Sequence, residues 1–174
     1  MNISIRILSL LSLGYIFDNN KLNDSSNNET SIIATEPYKI DIQINEAGKN
    51  EYQLVINMEL HNGAHFVSPN AKRDFTGKFF MDLGSYEHLA FDGILVETPR
   101  SVEEIDPHPF VGGPVNWVRE NTTYMQSLKL LSNDDFEVFG RIRFTIEPRC
   151  TLEEIPFAIS YKNGVAKIIN NPEC

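Results

Sequence analysis

The chain is poor in cations. Its 15 lysines and arginines face 24 aspartates and glutamates, which leaves a net charge of −9 and a pI near 4.9. Nucleic-acid binding needs a cationic face that releases phosphate counterions, so that class is excluded, as is docking on anionic lipid. Long apolar runs are missing too. The best one, Ile7 to Phe17, is too short to span a bilayer. No segment keeps an apolar period of 3.6 residues, so amphipathic helices are not expected. No Gly-x-Ser-x-Gly elbow and no glycine-rich phosphate loop occur, and no nucleophile–base–orienter set is visible. His61 and His65 are spaced i, i+4, but Asn62-Gly63 breaks any helix between them, so no metal site is expected. No cofactor is expected either. The acidic pairs Glu103-Glu104, Asp134-Asp135 and Glu153-Glu154 read as solvated surface. Only two cysteines, Cys150 and Cys174, and one tryptophan, Trp117, are present.

What is present is β patterning. Tyr38, Ile40, Ile42 and Ile44 alternate with polar residues, as do Tyr52, Leu54, Ile56, Met58 and Leu60. Period two with one apolar face predicts half-buried antiparallel strands. Glu46 to Asn50 between them carries hairpin chemistry. Further strands are predicted at 65–68, 78–83, 89–97, 125–131, 136–146, 156–161 and 165–169. Asn62-Gly63, Asp92-Gly93, Asn133-Asp134-Asp135 and Asn163-Gly164 mark turns. Short strands with regular turns predict an all-β antiparallel sandwich, with an eight-stranded barrel as the rival.

Three segments complete the organisation. Residues 1–17, with Arg6 ahead of an apolar run, read as a signal peptide, although a small-x-small cleavage site is missing. Residues 18–35 read as a flexible asparagine-rich linker with too little apolar surface to offset ordering entropy. Residues 36–174 form the sandwich domain. Within it, Thr98 to Thr123 reads as a long irregular loop rich in proline and glycine. It carries Phe110 and Trp117, so it is expected to pack back on the sandwich with Trp117 buried.

Three stretches carry a family resemblance. They are Leu60 to Pro69, with its Asn-Gly turn and Ser68-Pro69; Gly93 to Pro99 followed by Asp106-Pro107-His108-Pro109-Phe110; and Gly140 to Cys150. In this order they resemble the N-terminal periplasmic domain of the transmembrane thiol:disulfide interchange reductase and the related disulfide-bond corrector domains. The resemblance covers roughly residues 38–169. It implies an immunoglobulin-like sandwich in which a cysteine pair, shielded by a cap loop, passes electrons between a membrane partner and oxidised periplasmic proteins. Here Cys150 stands for the first cysteine, and Asp106 and Phe110 for the cap residues, with Trp117 in the same loop. The family's second cysteine is absent: Cys150-Thr151-Leu152-Glu153-Glu154-Ile155-Pro156 keeps its proline alone.

Cys174 is therefore the sole intramolecular candidate. A bridge needs Cα atoms within about 7 Å and would contribute about 3 kcal/mol by closing the loop. A structural disulfide, a redox-active pair and two free thiols all remain open. Arg149 beside Cys150 favours its thiolate, and Glu153 and Glu154 oppose it. The expected role leans to a protein-interaction module, exported to the periplasm, whose partner is a periplasmic or membrane thiol–disulfide protein. The alternatives are a thiol–disulfide oxidoreductase using Cys150 and Cys174, or a plain ligand-binding or structural sandwich. An integral membrane protein is not expected.

Overall fold

The computed structural model describes residues 36–84 and 87–170. The leader, the linker of residues 18–35 and Cys174 lie outside the described residues. Contacts divide the chain into Met1–Ile32 and Ile33–Cys174, and every described residue belongs to the second unit. Among the described residues all regular structure is β. The strands are β1 (Tyr38–Gly48), β2 (Glu51–Leu60), β3 (Phe66–Val67), β4 (Phe80–Leu83), β5 (Leu89–Thr98), β6 (Glu103–Asp106), β7 (Gly113–Val118), β8 (Thr122–Leu130), β9 (Phe136–Ile146), β10 (Thr151–Lys162) and β11 (Val165–Asn170).

Two four-stranded antiparallel sheets form the sandwich, in the orders β1-β2-β8-β5 and β11-β10-β9-β4. Two separate sheets answer the barrel alternative. Taken in chain order, the first sheet reproduces the A-B-E-D arrangement of an immunoglobulin domain. β4, β9 and β10 reproduce C-F-G, with β11 added at the edge. The fold is therefore an immunoglobulin-like sandwich, as expected. A third sheet, β3-β7-β6, is inserted between these elements.

The core follows from the alternation. Leu54, Ile56 and Met58 of β2 and Tyr124 and Leu128 of β8 point inward from one sheet. Ile142, Phe144 and Ile146 of β9 and Phe157 and Ile159 of β10 point inward from the other. At one end the filling is aromatic. Phe79 stacks on Tyr124 at 4.3 Å between centroids, and Phe66 lies 5.1 Å from Phe144. Such pairs add about 0.5–1.5 kcal/mol each beyond area burial. Gly140 of β9 has no room for a side chain. A Cβ there would sit 2.9 Å from both the Asp82 carbonyl oxygen and Leu83 Cδ2, so β9 pairs closely with β4 only because this residue is glycine.

The segment read as an irregular loop is largely a β-hairpin. β6 pairs with β7 in the register Glu103↔Asn116 to Asp106↔Gly113. Ser68 N, just past β3, donates to Asn116 O at 2.9 Å, which ties the hairpin to the sandwich. The pattern concealed β6 because Glu103, Glu104 and Ile105 are all exposed, so no face alternates.

Glu97, at the end of β5, is buried beneath this hairpin. Its carboxylate accepts hydrogen bonds from Ser68 Oγ at 2.6 Å, Tyr124 OH at 3.1 Å and Ser101 N at 2.7 Å. Burial, then the charge and hydrogen bond of Glu97, push the Tyr124 phenol far above its ordinary value, so it stays a donor. Glu97→Ala would strand these three donors. We expect a loss of about 3 kcal/mol in urea unfolding, partly recovered in Glu97→Gln, which keeps one acceptor oxygen.

Candidate functional site

β9 and β10 are joined by the turn Glu147–Cys150, with Ile146 opposite Thr151 across the hairpin. Cys150 closes it at φ +54°, in the left-handed region. The other non-glycine residues with positive φ among those described are Asn50, Asn62 and Asn163. Asparagine tolerates that region through its short polar side chain, whereas a cysteine there costs about 1 kcal/mol. Cys150 is exposed, and among the described residues it has no disulfide partner.

The turn is fixed on two sides. His65, just ahead of β3, exchanges two backbone hydrogen bonds with Glu147, at 3.1 and 2.8 Å. Arg149 is engaged by three other side chains. Its guanidinium donates to Glu153 at 2.6 Å and to Thr151 Oγ1 at 2.9 Å, and reaches Glu36 at 3.4 Å. The expectation that Arg149 favours the Cys150 thiolate therefore meets a cation already occupied by two carboxylates. Tyr38 OH also donates to Glu153, at 3.0 Å. Burial alone would raise the Glu153 carboxyl, but hydrogen bonds from Thr151, Arg149 and Tyr38 outweigh it and hold the pKa below its ordinary value.

A pocket of about 550 Å³ lies beside the turn. His65, Asp106, His108, Phe110, Val111, Trp117, Glu147, Pro148 and Cys150 line it. The structure thus brings Asp106, Phe110 and Trp117 of the β6–β7 hairpin together with Cys150. Trp117 Nε1 donates to Asp106 Oδ2 at 3.0 Å, and His108 N donates to Asp106 Oδ1 at 2.8 Å. The backbone hydrogen bond from His108 and then the side-chain hydrogen bond from Trp117 hold the Asp106 carboxyl below its ordinary 3.8. Trp117 takes the His65 ring at 4.9 Å in an edge-on contact and the Arg119 guanidinium at 5.5 Å.

Two expectations need correction. The hairpin does not shield Cys150: the thiol residue is exposed, and Phe110, at the hairpin tip, is 93% exposed. Trp117 is half-buried rather than buried, because its ring forms one wall of an open pocket. Cys174, the other candidate, lies outside the described residues. His65, His108 and Glu147 are pocket residues that no sequence pattern indicated. The first and last meet through an isolated β-bridge, which leaves no periodic trace. His65 Nδ1 donates to Gly63 O at 3.0 Å when it carries the ring proton, which leaves Nε2 as the acceptor.

Two measurements check this geometry. The Asp106 carboxylate contacts exist above the unfolded carboxylate pKa and are lost as pH falls through the lower folded value. Trp117 fluorescence should therefore show a step below about pH 4 that is absent in Asp106→Asn. Cys150→Gly, which relieves the left-handed strain but frees the unfolded chain, should gain about 0.5–1 kcal/mol over Cys150→Ala in urea unfolding. Equal stability would contradict the turn geometry.

The sequence matches no family model and no curated protein. Among solved structures, the crystal structure of the Neisseria meningitidis DsbD N-terminal domain in its reduced form is similar. The TM-score is 0.46 and the identity 9%, over 77% of this chain and 90% of that chain. A likeness of that size carries no functional weight, so function rests on the chain's own residues.

Proposed function

We propose that this chain is an exported interaction module of a periplasmic thiol–disulfide system, which engages a disulfide-bearing protein through Cys150 and the pocket beside it. The observation that carries this reading is the placement of an exposed, unbridged cysteine on the wall of a pocket whose rim holds a solvent-facing Phe110. An aromatic left in water beside a reactive atom is the composition of an interaction anchor. Export rests on the apolar leader of residues 1–17.

The chemistry is exchange. The Cys150 thiolate attacks one sulfur of the partner's disulfide. A new S–S bond forms to Cys150, the partner's S–S bond breaks, and the released sulfur leaves as a thiolate that takes up a proton. No external oxidant or reductant is consumed. Resolving the mixed disulfide requires a second thiol. On the interaction reading the partner supplies it, and on the oxidoreductase reading Cys174 does.

Insulin, as a protein disulfide, and glutathione disulfide, as a small one, test the reading on the full mature domain carrying Cys174→Ser. Mass spectrometry should show mixed disulfides at Cys150 with both. Phe110→Ser should slow capture of insulin at least fivefold and leave the glutathione rate unchanged. No exchange at Cys150, or an insulin rate indifferent to Phe110, overturns the proposal. A Cys150–Cys174 bridge in the unmutated domain that opens and closes with the glutathione ratio replaces it by the oxidoreductase reading.

A further inference from the structure

The outer face of the β11-β10-β9-β4 sheet holds a second pocket, built independently of Cys150. Its volume is about 390 Å³, and its walls are mostly apolar, with Phe75, Phe80 and Leu152 among them. Phe80 is 49% exposed and Leu152 is 64% exposed, although both sit on strands of the sheet. Arg143 stands in the same wall.

Arg143 differs from Arg141, two residues earlier on β9. On β9 Arg143 is opposite Phe80 of β4 on one side and Glu154 of β10 on the other. Both nearby carboxylates, Glu154 and Asp82, are taken by Arg141, each at 3.6 Å. Arg143 instead lies over the Phe80 ring at 5.3 Å. Its Nε is buried with no hydrogen-bond partner among the described residues. Leaving such a donor unpaired is costly, and a guanidinium fork fits a carboxylate in two parallel bonds. Arg143 thus offers an anion a guanidinium that holds no carboxylate, set in a mostly apolar wall. The other charged side chains of the pocket do not supply one. Lys78 Nζ donates to Ala71 O at 2.7 Å, and Asp74 forms no ion pair with Arg143.

We propose that this pocket binds an amphiphilic carboxylate, with the carboxylate on the Arg143 guanidinium and an aliphatic or aromatic body along Phe75, Phe80 and Leu152. The pocket is within the size range that holds small ligands, and one fixed polar group against apolar walls is their usual composition. Asp74 limits the affinity by repulsion.

Decanoate is the probe, titrated into the full domain by calorimetry, with the site located by amide chemical shifts. The expected result is saturable one-to-one binding, with shifts centred on Phe80, Arg143 and Leu152. Arg143→Met, which keeps length but removes charge, should weaken it at least tenfold, and decanol should bind at least tenfold more weakly than decanoate. Asp74→Asn should tighten it. Should Arg143→Met fail to fold, Leu152→Glu places a carboxylate at an exposed position on the mouth and should abolish binding with the fold intact. Absence of saturable binding, binding indifferent to both Arg143→Met and Leu152→Glu, or shifts centred elsewhere overturns the proposal.

Discussion

The buried carboxylate of Glu97 is the constraint from which the functional end of the domain follows. Three donors converge on it from three places in the chain: the segment after β3, the segment after β5, and β8. A charge taken out of water persists only where such donors replace its solvation. Tyr124 gives its hydroxyl to Glu97 and its ring to Phe79, so one residue joins the polar anchor to the aromatic core. Ser101, held through its N–H, accepts from Asn116 Nδ2 at 3.2 Å through its carbonyl. The entry and exit of the β6–β7 hairpin are thereby pinned to one another and to the sandwich. The position of Asp106, Phe110 and Trp117 over the β9–β10 turn is a consequence of this anchoring.

Charge is distributed to the same end. Arg119 pairs with Glu104 at 2.8 Å and Lys72 with Glu103 at 3.0 Å, both on the hairpin, and Arg149 is engaged by Glu36 and Glu153. Exposed pairs of this kind contribute little to stability. They occupy three cations of the hairpin end, and the side chains that line the Cys150 pocket are aromatic, histidine and acidic ones, with no lysine or arginine among them. On the outer face of the second sheet, Arg141 takes both Asp82 and Glu154, which leaves Arg143 without a carboxylate partner among the described residues. Two pockets of different chemistry thus arise from where a limited set of cations finds partners.

The strands of the sandwich were legible because one face of each is buried and the other wet, so period two is written directly into Tyr52 to Leu60 and Phe136 to Ile146. Where that condition fails, legibility fails. β6 is exposed on both faces. The first residues of β10, Thr151 to Ile155, carry Glu153 and Glu154 and alternate between half-buried and exposed, so the predicted strand began only at Pro156. The grouping of Asp106, Phe110 and Trp117 with Cys150 came from a resemblance and not from spacing. The residues that complete the pocket, His65 and Glu147, are joined by backbone hydrogen bonds that either side chain would permit. The buried state of Glu97 was illegible for a similar reason. A glutamate at a strand end is ordinarily solvated, and only the hairpin folded over it makes it otherwise.

The left-handed conformation of Cys150 bears on how the turn works. Asparagine would adopt it with little strain, and the chain uses asparagine at the three comparable positions. Strain of this size persists where the surroundings over-determine it. Here the His65–Glu147 bridge holds one end of the turn and the Arg149–Glu153 contact holds the other. Neither contact involves the sulfur. Forming or breaking a bond at Sγ therefore leaves the restraints on the backbone in place. On the proposed role, recognition then depends on the hairpin residues that face the sulfur across the pocket, and the β9–β10 turn serves as a rigid mount for the thiol.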